Sequence, residues 1–153
     1  MSSSTDRIER TIVLKASPIR VWRALSNAEE FGNWFGVNLK GKSMRVGDEL
    51  EGHITHPKYE HLIWRVVIER MEPNRLLAWR WHPAAVNVDV DYSSEPTTLV
   101  VFKLEEIDGG TRLTVIESGF DAIPEHRRMD AFRMNSGGWS IQMENIEKHV
   151  ASG

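Results

Sequence analysis

Glu117 is the acidic residue whose setting most invites chemistry. It follows Leu113 and Val115 at two-residue steps in the run Thr111-Arg112-Leu113-Thr114-Val115-Ile116-Glu117. On a strand that spacing puts the carboxyl on the same, inward face as two apolar side chains, where it is costly unless partnered or wet. An enclosed carboxylate of this kind is a candidate general base toward an aromatic or polyketide-like substrate. The simpler reading is favoured: the strand has ended by Glu117 and the side chain lies on an exposed rim. Other groupings are weaker. His53, His56 and His61 span a hairpin, but Pro57 and a turn separate them and no inward carboxylate accompanies them, so no metal is assigned. Ser118, His82 and Asp121 are the residue types of a hydrolytic triad, yet Ser118 lacks the context of a nucleophile elbow. Asp89-x-Asp91 lacks the rest of a calcium loop. The chain has no cysteine, which excludes disulfides, thiolate catalysis, zinc–thiolate centres and cysteine-ligated clusters. No cofactor is expected.

Binding chemistry is better represented. Trp22, Trp34, Trp64, Trp79, Trp81 and Trp139 are accompanied by only two tyrosines. Tryptophan is large and amphipathic, and suits the lining of a cavity or a partner surface. Singly, each is an ordinary core residue. Together, several can converge on one hollow.

The elements that must position these residues are legible from periodicity. Ile8 to Leu14 reads as a strand. Ser17-Pro18 gives a capped helix start. Asn27 with Glu30 gives a capping-box pattern for a second short helix bearing Phe31, Trp34 and Phe35 and ending at Gly36. Strands follow around Leu50–Thr55, Leu62–Met71, Leu77–Trp81, Thr98–Glu106 and Leu113–Glu117. They are separated by short turns such as Asp108-Gly109-Gly110, which argues for an antiparallel meander. By period two, Leu50, Trp64, Val66, Trp79, Trp81, Val100, Phe102, Leu104, Leu113 and Val115 face inward. Glu49, Glu51, Arg65, Glu69, Arg80, Lys103 and Arg112 face out. Residues 83–96 form a long loop, with room for a short edge strand or a lid. A last helix carries the stripe Met129, Phe132, Ser136, Trp139, Met143, Ile146, Val150. Within it, Gly137-Gly138 either permits close approach or leaves space beside Trp139.

Composition limits the partners. The net charge of −3 speaks against a nucleic-acid or anionic-membrane surface. The polar start Met1–Asp6 is no signal peptide, and no apolar run approaches membrane-spanning length. A cytoplasmic protein with one domain over residues 1–153 is expected.

The residues Ser17–Leu25, Trp34-Phe35-Gly36, Gly47-Asp48, Glu72–Trp81, Thr111–Phe120 and Gly138-Trp139 together resemble the Hsp90-ATPase-activator-homologue-like group of the START/Bet v1-like (SRPBCC) superfamily. The resemblance spans nearly the whole chain. It implies an α+β helix-grip fold: a curved antiparallel sheet, of seven-stranded type, around a long C-terminal helix with two short N-terminal helices. It also implies binding of a hydrophobic or aromatic small molecule in a cavity between sheet and helix. Trp64, Trp79, Trp81, Phe102, Phe132, Trp139 and Met143 would line that cavity, with Trp34 and Phe35 near its mouth. The alternatives are a small cyclase- or hydrolase-type enzyme and a cochaperone-like interaction domain, and a homodimer is also considered. A bacterial-style isolated domain, without the further Hsp90-binding domain of the eukaryotic activator, favours the small molecule. The group has no universal catalytic motif, so no catalytic residue is carried over.

Overall fold

The computed structural model describes residues 3–151. Strand β1 (Arg7–Leu14) is followed by helices α1 (Pro18–Ser26) and α2 (Ala28–Phe35). Strands β2 (Glu49–His53), β3 (Ile63–Glu72), β4 (Leu76–Trp81), β5 (Thr98–Ile107) and β6 (Gly110–Ser118) come next. A 3-10 turn (Phe120–Ala122) then leads into α3 (Glu125–Ala151). One curved antiparallel sheet runs in the order β1-β6-β5-β4-β3-β2. Consecutive strands from β2 to β6 pair as neighbours, and β1 closes on β6. The sheet has six strands among the described residues, one fewer than the resemblance implied. Residues 82–97, where the sequence left room for a short edge strand, run instead as a loop.

Both short helices start as the sequence dictates. The Ser17 side chain accepts from Arg20 N, with Pro18 opening α1, and Asn27 accepts from Glu30 N at the start of α2. Only half of the expected capping box forms, because the Glu30 carboxylate turns outward to Arg20, Arg23 and His149. Gly36 ends α2 at φ 98°, a left-handed conformation that glycine adopts without steric cost. Gly32 is needed for a different reason: a Cβ there would stand 2.2 Å from the Val37 carbonyl oxygen.

The predicted face assignment is observed. Trp64, Val66, Ile68, Trp79, Val100, Phe102, Leu113 and Val115 are buried. On the outer face, cross-strand pairs Arg65–Glu51, Arg80–Glu69 and Arg112–Glu105 alternate with them. Helix α3 lies on the inner face through Trp139, Met143, Ile146 and Val150. It is tied to β1 by Arg10, whose guanidinium donates to Ser136 Oγ (2.7 Å) and Ser140 Oγ (3.0 Å). The first turn of the expected stripe is displaced: Met129 is exposed and Ala131 is buried instead. A Cβ at Gly137 or Gly138 would meet nothing within 4 Å, so the pair borders open space rather than a close packing contact.

Candidate functional site

Strand β6 continues through Ser118, and Glu117 is fully buried. The expectation of an exposed rim position is therefore corrected, since the period-two alternation holds to the end of the strand. The carboxyl is completely engaged. Oε2 accepts from Trp81 Nε1 (2.7 Å), Thr98 Oγ1 (2.5 Å) and Asn135 Nδ2 (3.1 Å). Oε1 accepts from Trp139 Nε1 (2.8 Å) and Asn135 Nδ2 (2.9 Å). The fold brings these donors together in two pairs. Trp81 and Thr98 are register partners on β4 and β5. Asn135 and Trp139, four residues apart, share one face of α3. The four donors are neutral, so burial is offset by hydrogen bonds rather than by a counter-ion. The arrangement fastens helix to sheet. A base role for Glu117 would require one of these donors to leave.

Around this hub the rings of Phe31, Phe35, Trp64, Trp79, Trp81, Phe102 and Trp139 form a continuous cluster. Neighbouring centroids lie between 4.8 Å (Phe31–Phe35) and 6.4 Å (Trp79–Trp139). Many contacts are edge-to-face, as between Trp64 and Trp79 at 84°, the geometry that ring quadrupoles favour. The rings thus pack against one another in the space between sheet and helix. Trp34 is buried behind them, with its indole N–H donating to the Ala24 carbonyl (2.7 Å). Phe132 packs edge-on against Phe120 at 5.4 Å, and Met143 is buried in the core.

The open space lies beside this cluster. A groove of about 690 Å³ runs between the 82–97 loop, the start of β3 and α3. Of the nine residues predicted to bind ligand, Trp64 and Trp81 border it. Trp34, Phe35, Trp79, Phe102, Phe132, Trp139 and Met143 do not. Asn135 forms part of its wall while holding Glu117 from behind. Sequence reasoning missed the loop's contribution. Val86, Val88 and Val90, exposed to 45%, 69% and 43%, line the groove together with Ile63 and Met134. The signal was present, since these valines alternate with Asn87, Asp89 and Asp91.

Arg127 holds the loop in place. Its guanidinium donates to Glu95 Oε1 (2.8 Å) and to the Pro83 carbonyl (2.8 Å), and lies 4.7 Å above the Tyr92 ring. His82 Nε2 donates to the Glu95 carbonyl at 3.0 Å, joining the loop's two ends. An arginine that is only 14% exposed and engaged on three sides is a firm anchor for a segment without regular structure.

The remaining sequence candidates stay apart. His53 Nδ1 bonds the Glu60 carbonyl and His56 Nδ1 that of Pro57. Among the described residues no three His, Asp or Glu side chains gather as metal ligands would. Asp121 accepts from Ser3, and His82 serves the loop, so neither is bonded to Ser118. The Asp91 carboxyl is held below the usual range by hydrogen bonds from the Ser93 side chain and backbone. At the far end of α3, burial works to raise the Glu30 pKa. Hydrogen bonds from His149 and Arg20, with the charges of Arg20 and Arg23, outweigh it and hold Glu30 below the ordinary value.

The fold has counterparts among known proteins. No curated protein sequence matches the chain. Among solved structures, it is similar to a protein from Arthrobacter aurescens (TM-score 0.78, 15% identity, covering 100% of this chain and 90% of that one). It is also similar to protein MLL2253 from Mesorhizobium loti (TM-score 0.71, 20% identity, 95% and 97% covered). A third is a structure described as the Aha1 dimer from Colwellia psychrerythraea (TM-score 0.70, 16% identity, 94% and 95% covered). At these identities the likeness is one of fold. Among the described residues no helix is long and apolar enough to cross a membrane. The family model for Activator of Hsp90 ATPase homolog 1-like proteins matches residues 15–151, from just after β1 to the end of α3, and the chain belongs to that family.

Proposed function

We propose that this protein binds a hydrophobic or aromatic small molecule in the groove beside the aromatic cluster. The observation that carries the reading is the groove's lining. Trp64 and Trp81 meet three exposed loop valines across about 690 Å³, a volume within the ordinary range for small-molecule sites. Exposed valines at 86, 88 and 90 would be a liability without an occupant, and a ligand would cover them. Trp81 reports on the event, because it lines the groove and is hydrogen-bonded to the buried hub. Tryptophan fluorescence should therefore respond to planar apolar ligands, and Val88→Asp should abolish the response while leaving the fold intact. No response across a broad lipid and aromatic panel, in folded protein, rejects the reading.

A homodimer is a second reading, favoured by one observation: a similar structure is described as a dimer. Light scattering should return twice the chain mass of 17.5 kDa. The mass of a single chain across the micromolar range rejects it.

A further inference from the structure

The buried hub fixes which hydrogen-bonding groups the groove can offer. Glu117 already accepts from two indole N–H groups and a hydroxyl, and it takes a donor from Asn135 as well. The Asn135 amide therefore has one orientation: Nδ2 toward Glu117 and Oδ1 away from it. Among the described residues nothing donates to that Oδ1, and Asn135 lines the groove. Trp81 has spent its only donor on Glu117 and offers the groove its ring alone. His82, also in the lining, follows the same logic. Its Nε2 meets a carbonyl, which only accepts, so Nε2 carries the hydrogen and Nδ1 is left with a lone pair in the neutral ring.

The lining also carries donors, on other side chains. Trp64 Nε1 has no partner but is buried from solvent, out of a ligand's reach. Arg65 pairs with Glu51 and Glu49 through Nε alone, on the exposed rim, and keeps its Nη donors there. Tyr92 Oη, on the loop, accepts from Asn87 N and keeps its own hydrogen to donate. Between Trp64, Trp81 and α3 the groove thus combines aromatic surface with unclaimed acceptors, at Asn135 Oδ1 and His82 Nδ1.

We infer that the groove selects planar apolar molecules bearing a hydrogen-bond donor, such as a phenolic hydroxyl, with Asn135 as the specificity-determining residue and His82 beside it. This rests on the groove-binding reading, and the test separates the two. Calorimetric titration of the full chain with 2-naphthol and with 2-methoxynaphthalene compares a donor with its capped ether. The expected result is about three- to tenfold tighter binding of 2-naphthol, the value of one net hydrogen bond. In Asn135→Ala that advantage should shrink, and binding of the ether should change little. His82→Phe gives the same comparison without touching the Glu117 hub. The wild-type pair remains decisive even where Asn135→Ala fails to fold. Equal or tighter binding of the ether overturns the donor preference and leaves the groove reading standing. An advantage undiminished in both variants overturns the assignment to these residues. Binding of neither probe overturns both readings.

Discussion

Replacing Glu117 by glutamine changes one atom and should be among the most damaging conservative substitutions in this chain. The carboxyl has two acceptor oxygens, and each is claimed by an indole N–H: Trp81 on Oε2 at 2.7 Å and Trp139 on Oε1 at 2.8 Å. An amide keeps one acceptor and turns the other into a donor. Whichever way it sits, an N–H faces an indole N–H. Thr98 can rotate its hydroxyl to accept and Asn135 can flip, but an indole has no acceptor to offer. One buried donor is left unmade, at about 1–3 kcal/mol, and a second contact turns unfavourable. We expect a total loss of about 2–4 kcal/mol, a fall in Tm of about 4–16 °C for a domain of this size. Differential scanning calorimetry and urea unfolding would measure it. A double-mutant cycle sharpens the reasoning. Trp81→Phe removes the orphaned donor, so Glu117→Gln with Trp81→Phe should be less damaging than the sum of the two, with about 1 kcal/mol or more of coupling. A loss under about 0.5 kcal/mol, or strict additivity, would refute the hub. The same variant addresses the enzymatic alternative, since unchanged turnover of aromatic or polyketide-like substrates would remove Glu117 as a base.

Other expectations follow from the same geometry. Arg127→Met should release the 82–97 loop from Glu95, Pro83 and Tyr92, weakening ligand binding about fivefold or more while lowering Tm by only a few degrees, read by titration and calorimetry on one sample. Gly32→Ala improves helix propensity by about 1 kcal/mol but sets a Cβ against the Val37 carbonyl, so a net loss of about 1–3 kcal/mol is expected in urea unfolding. Glu30 ionises more readily folded than unfolded. Its stabilisation is therefore complete above the ordinary value of 4.5 and is lost as pH falls through the lower folded value. Glu30→Gln should cost about 1–3 kcal/mol at pH 7 and progressively less in acid. A cost that does not change with pH would contradict this.

The fold was legible because its strands alternate cleanly. Trp64, Val66 and Ile68, or Leu113 and Val115, each repeat a two-residue period, and Ser17-Pro18, Asn27 and Gly36 mark the helix ends. That same period, carried one step further, places Glu117 inward. The exposed alternative looked cheaper because its donors come from β4, β5 and α3, and no local pattern reveals that convergence. The site was harder to read. Periodicity separates inside from outside but does not tell a void from a filled core, and here seven rings occupy one another's space. The groove depends on a loop held by Arg127 through contacts 32 and 44 residues away in the chain. Its valines carry a strand-like alternation without forming a strand.

The central claim is that ligands enter beside the aromatic cluster, at Trp64 and Trp81, rather than within it. The six indole N–H resonances of ¹⁵N-labelled protein report this directly during titration with 2-naphthol. The signals of Trp64 and Trp81 should shift in a saturable way, while that of Trp79, inside the cluster, and those of Trp22 and Trp34 stay in place. Saturable shifts largest at Trp79, or no movement of any indole signal, would contradict the account.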